Sequence, residues 1–162
     1  MATAPLKPTI SHPGLRDRLY ELLERDDLPH SGGSRFAGFI VAIITVDVLA
    51  AILASVPEID AQFGWLLTAV EVAAVIAFAL EYAARLWSVV GHSLRDMTPL
   101  KARLEYACSA LGVIDLLAFL PSAVALVIND KIALVLFGML PFLKLVRYSP
   151  AMRSLLAALH AE

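Results

Sequence analysis

Eight residues of this chain place charge or an aromatic ring inside otherwise apolar sequence: Asp47, Glu71, Phe78, Glu81, Arg85, Asp115, Lys144 and Arg147. An ionised group in hydrocarbon costs at least a few kcal/mol, so each must face protein or water and find an opposite charge. Four of them lie in one run, FGWLLTAVEVAAVIAFALEYAARLWSVV at 63–90. From Glu71, the residues Phe78, Glu81 and Arg85 follow at 7, 10 and 14 positions. At about 100° per residue these offsets reduce to about −20°, −80° and −40°, a single helix face. Two acids and a ring in a line can compensate cations, hold them, or let them pass in an electric field. They cannot form a nucleophile–base set, and no other part of the chain supplies one, so an enzyme is not expected. His12, His30, His92 and His160 stand outside the apolar runs at no metal-ligand spacing, which implies surface residues and no metal or other cofactor.

The elements that must position these groups follow from composition. Of 162 residues, 59% are hydrophobic and 17% charged, with the charges crowded into the first 35 positions and the junctions between four apolar runs. A net charge of −2 gives no nucleic-acid footprint, and the single Cys108 excludes an internal disulfide. The expected fold is an all-α membrane protein, an antiparallel bundle of four transmembrane helices with the lipid bilayer as its first partner. Crossings are expected at about 36–56, 63–90, 106–128 and 132–148, each near the length that about 1.5 Å per residue requires. Residues 1–34 form a lead with a short amphipathic helix at 14–27, where Leu15, Leu19, Leu22 and Leu23 oppose Arg16, Asp17, Glu24 and Arg25. Residues 35–148 form the bundle, and 149–162 begin an amphipathic linker.

Lys and Arg set the orientation. Arg16, Arg18, Arg25, Arg35, Arg95, Lys101, Arg103 and Arg153 fall on one side of such a bundle, and only Lys131 on the other. Both termini are therefore expected on the cytoplasmic side of a cell inner membrane. Glu81, Asp115, Lys144 and Arg147 then share the inner half, Asp47 lies near mid-depth, and Glu71 lies in the outer half with no evident cation. Lys144 is expected to pair with Glu81, Asp115 or both.

At these residues the sequence resembles the voltage-sensor domain of the voltage-gated cation channel superfamily, most of all that of a bacterial potassium channel. Glu71, Phe78 and Glu81 match the outer acid, aromatic plug and inner acid of the family's charge-transfer site, and EYAARLW at 81–87 continues it. VIDLLAFLP at 113–121 resembles the family's third crossing, with Asp115 as its acid. LASVPEI at 53–59 resembles the end of the first crossing, and FLKLVRYSPAMRSLL at 142–156 the inner end of the sensor helix running into the pore linker. The likeness covers about residues 15–160.

The resemblance implies a sensor whose gating charges move past acids, and here the pattern departs. Counting back in threes from Arg147 and Lys144 gives Pro141, Gly138, Val135 and Ile132, all uncharged. Gating-charge candidates reduce to Lys144 and Arg147. Pro141 removes a backbone donor, so a kink near Gly138 is expected. A basic residue placed at Gly138 or Pro141 is expected to meet Glu71, Phe78 and Glu81 in position to receive it. The implied function is the sensor-like module of a tetrameric potassium channel, with a weak or absent voltage response and its pore outside this chain. Alternatives are a stand-alone proton pathway using Asp47, or a non-conducting membrane scaffold. A buried structural ion cluster is the plain alternative for Glu81, Asp115 and Lys144.

Overall fold

The computed structural model describes residues 32–92 and 98–148. The amphipathic helix expected at 14–27 and the linker from 149 lie outside the described residues. Within them every regular element is helical. Three stretches are long and apolar enough to cross a membrane: Arg35–Ala54, Pro57–Val90 and Ala110–Ile128.

Helix α1 spans Gly32–Ala54 and α2 spans Pro57–His92. Residues 57–62, between the first two expected crossings, belong to α2 and start with its first turn. Pro57 suits that position because the missing N–H has no intrahelical partner there, and Glu58 and Asp60 lie at the positive end of the helix dipole. Each long helix turns one polar-bearing stripe inward. Ile40, Ile44, Asp47, Ala50 and Ala51 are buried on α1, whereas Leu67, Glu71, Ala74, Phe78, Glu81, Arg85 and Ser88 are buried on α2. The opposite faces are apolar and exposed, with Trp65 at 75% and Leu80 at 66%. This inside-out pattern suits hydrocarbon rather than water.

The polar helix α3 (Pro99–Cys108) leads into the third apolar run, which is itself broken into α4 (Ala110–Leu117) and α5 (Leu120–Ile128). Ser109 makes the first corner in extended conformation. Its hydroxyl donates to the Tyr106 carbonyl at 2.6 Å and accepts from the Gly112 N–H at 3.1 Å, capping both helices at once. Asp115, Ala118, Ser122 and Ala125 form the buried stripe of α4 and α5. Asn129, left-handed at φ 55°, ends α5. Asp130 then caps the next helix by accepting from the N–H groups of Ile132 and Ala133.

The fourth run is α6 (Lys131–Phe137), a 3-10 helix at Leu140–Lys144, and α7 (Leu145–Tyr148). The expected kink at Gly138 and Pro141 thus takes the form of a change of helix type. A 3-10 helix has about three residues per turn, so positions three apart stack in one line. Pro141 and Lys144 share that line, Gly138 precedes the segment and Arg147 follows it in α7, and all four are buried. This line packs on α1 and α4, α6 packs on α1 and α5, and α5 packs on α2.

The corner at Ser109 has a direct stability consequence. A Cβ on Gly112 would lie 2.0 Å from the Tyr106 carbonyl oxygen, whereas one on Gly38 would meet nothing within 4 Å. Gly112→Ala should destabilise the protein by about 1–3 kcal/mol, as overpacking against backbone does. Gly38→Ala should leave stability unchanged or raise it, since Ala is the better helix former. Thermal unfolding in detergent checks the contrast.

Candidate functional site

The centre of the bundle is a buried ion cluster built from every run except the first. Glu81, on α2, receives Lys144 Nζ at 2.5 Å on Oε2 and Arg85 Nη2 at 2.8 Å on Oε1. The Arg85 contact is the ordinary i, i+4 pairing along a helix, and its Nε also donates to Oε1 at 3.0 Å. Asp115, on α4, receives Arg147 Nη1 at 2.7 Å on Oδ2 and lies 3.5 Å from Lys144 through Oδ1. Arg85 Nε stands 3.7 Å from Asp115 Oδ2, joining the two acids. Two tyrosines complete the shell. Tyr106 donates its hydroxyl to Asp115 at 2.8 Å, and Tyr148 donates to Glu81 at 3.3 Å.

Every charge in this cluster is nearly sealed from solvent: Asp115 and Lys144 are 0% exposed. Taking such ions from water costs several kcal/mol each, and only close geometry with further hydrogen bonds offsets it. The network of shared partners meets that requirement. Lys144 closes the 3-10 segment and reaches both acids, and Arg147 lies three residues on in α7 and reaches Asp115.

Phe78 stands directly above Lys144. The ammonium lies 4.7 Å from the ring centroid, within cation–π range. The ring is 0% exposed and packs with Ile40, Ile44 and Ala74, the apolar core of the bundle. Beyond that layer lie Asp47 and Glu71, which face one another, with Ser122 beside Glu71. Glu71 and Glu81 are ten residues apart on one helix, about 15 Å of rise. The apolar layer therefore divides a mixed-charge cluster from a purely acidic one.

The structure thus brings Glu81, Asp115, Lys144 and Arg147 together and places Phe78 against them. It sets Glu71 and Asp47 apart from every cation of that cluster. Tyr106, Tyr148 and Ser122 were not expected in the site. Ser122 lies seven residues beyond Asp115, on the same face, and that spacing was a usable signal. Tyr106 was not legible, because the Ser109 corner resets the helix phase between it and Asp115. Gly138 also differs from expectation as an acceptor position. A Cβ there would lie 2.9 Å from both Ala51 Cβ and Glu71 Oε2, so a basic residue needs α1 to shift.

Residues 33–161 match the family model described as ion transport protein. The chain belongs to that family. It is 34% identical over 149 residues to a protein of Rhodopseudomonas palustris named as a candidate potassium channel, covering 91% of this chain and 36% of that protein. It is 26% identical over 125 residues to potassium voltage-gated channel subfamily KQT member 1 of Homo sapiens, covering 77% of this chain and 18% of that protein. The same channel of Oryctolagus cuniculus is 31% identical over 130 residues, with the same two coverages. The resemblance to the voltage-gated cation channel superfamily therefore holds. This is a multi-pass membrane protein of the ion transport family, related to potassium channels, and its family points to transport rather than catalysis. It spans about a third of the first relative and under a fifth of the others.

Burial separates two kinds of ion pair in this molecule. Lys144→Met, which leaves two buried carboxylates short of a cation, should cost about 3–5 kcal/mol. Lys131→Met, which removes the exposed pair with Asp60 at 2.9 Å, should cost under about 1 kcal/mol. Denaturation of both variants in one detergent provides the comparison.

Proposed function

We propose that this chain is the sensor-like module of a tetrameric bacterial potassium channel, and that it responds weakly or not at all to voltage. Its four runs would cross the inner membrane antiparallel with both termini cytoplasmic, the amphipathic helix at 14–27 preceding them. Residues 35–148 would form the module and 149–162 the start of the connection to a pore contributed by residues other than these. Glu71, Phe78, Glu81 and Asp115 would form the charge-transfer site, with Lys144 and Arg147 as its gating charges. The potassium-channel part of the proposal draws on the relatives' names, and the Lys and Arg bias of the loops supports the orientation.

One observation carries the reading on voltage. Lys144 and Arg147 are already held by Glu81 and Asp115 on the far side of Phe78, and the next two positions on their line are Pro141 and Gly138. Each charge moved fully through 100 mV contributes about 2.3 kcal/mol, and steep sensors move about 3–4 charges per subunit. Two charges that have little further to travel supply a fraction of that work. A proton pathway through Asp47 would have to cross the layer of Phe78, Ile44 and Ile40, each 2% exposed or less. Nothing in the geometry favours it.

Gating-current recordings on the full-length protein test the proposal. The expected total is well below the roughly twelve charges per tetramer that four steep sensors would give. A steep response equivalent to ten or more would overturn it.

A further inference from the structure

Among the described residues, Tyr106 is the one side chain of α3 that reaches the ion cluster. Most of that helix faces away from it, with Leu100, Lys101, Arg103 and Leu104 exposed. Yet the Tyr106 hydroxyl stands where the third and last runs meet. It donates to Asp115 Oδ2 at 2.8 Å, the same oxygen that receives Arg147 Nη1 at 2.7 Å. Arg147 Nη1 lies 3.4 Å from the hydroxyl oxygen, long for a hydrogen bond. The influence of Tyr106 on Arg147 therefore passes mainly through Asp115.

The two oxygens of Asp115 serve different cations. Oδ2 holds Arg147, whereas Oδ1 stands 3.5 Å from Lys144. The terminal torsion of an aspartate is broad, so the backbone of α4 does not by itself fix which oxygen faces which base. A hydroxyl carried on a ring can fix it. Its bond to an ionised acceptor is about twice as strong as one between neutral groups.

The ring is itself held in place. Tyr106 packs on Tyr82 of α2 with centroids 6.3 Å apart, and Tyr82 packs on Phe119, at the joint of α4 and α5, at 5.7 Å. Both distances suit tilted aromatic pairs. The backbone between Tyr106 and Asp115 has little room to bend, because Ser109 bonds the Tyr106 carbonyl and the Gly112 N–H. Helix α3 also packs on α2 and α4. Tyr106 and Asp115 thus form one preset cradle that receives a guanidinium from the last run.

We infer that Tyr106 is a positioning residue for Arg147: its hydroxyl sets the Asp115 carboxylate, so that α3 together with α4 fixes where the last run is held. Its functional meaning rests on the proposed role of Arg147 as a gating charge. Helix α3 then belongs to the holding machinery, although none of the candidate gating charges or their acids lies on it.

The test is backbone hydrogen exchange of the full chain in lipid nanodiscs, for wild type, Tyr106→Phe, Arg147→Gln and the double variant. Tyr106→Phe keeps the ring packing and removes only the hydroxyl. Exchange in 145–148 should speed up by about three- to tenfold, the range that a hydrogen bond of ordinary net strength contributes. Exchange in 40–51 of α1 should not change. In the Arg147→Gln background the effect of Tyr106→Phe should fall below about twofold. Unchanged exchange in 145–148 overturns the inference, and so does an equal acceleration in 40–51, the mark of a merely structural role. An effect of the same size without Arg147 also overturns it. Should either substitution fail to fold, 3-fluorotyrosine at position 106, a stronger donor on the same ring, should slow exchange in 145–148. No slowing there overturns the inference. These readouts use neither voltage nor current, so their failure is distinct from a failure of the proposed sensor role.

Discussion

The contact on which this structure depends is the one between Lys144 and Glu81. It joins the last run of the chain to the longest helix, across 63 residues of sequence, at a point sealed from solvent. Around it Asp115, Arg85, Arg147, Tyr106 and Tyr148 share hydrogen bonds, so that no charge is left to a single partner. In a medium without water the alternative to such sharing is an uncompensated ion, which the fold could not carry. The local geometry follows from the same requirement. The 3-10 helix at Leu140–Lys144 stacks Pro141 under Lys144 and turns Lys144 to the acids at the expense of regular α-helical bonding, and Arg147 follows three residues on in α7.

Phe78 gives the cluster its boundary. With Ile40, Ile44 and Ala74 it forms an apolar plate about one helical turn thick, with three bases and two acids on one side and two acids on the other. The asymmetry is the chain's main departure from a working voltage sensor as its family resemblance implies one. In the proposed sensor the acceptor side, Glu71, Phe78, Glu81 and Asp115, would be complete, while Gly138 and Pro141 bring no charge to the moving side. Gly138 is not simply a missing cation, since its bare Cα is what lets the Glu71 carboxylate and Ala51 approach. The glycine and the acid pair fit each other.

Much of this was legible because burial in a membrane bundle writes itself as polar residues at helical spacing. The stripe from Glu71 to Arg85 and the isolated Asp47, Asp115, Lys144 and Arg147 stood out against apolar sequence, and all are buried. What escaped were features that depend on helix phase. The acidic residues after Val56 look like a loop, yet Pro57 starts α2 there. Ser109 splits the third run, which shifts the face of Tyr106 relative to Asp115 and hid the hydrogen bond between them. Asp47 and Glu71 looked like separate acids, because their meeting depends on the relative depth of α1 and α2, which no single helix records.

A double-mutant cycle on Glu81→Gln and Lys144→Met measures the interaction at the root of this account. If the buried contact holds the last run to α2, the two effects should be strongly non-additive, with a coupling of about 2–3 kcal/mol toward the top of the range for residues in direct contact. Additivity within about 0.5 kcal/mol, the behaviour of independent sites, would contradict it.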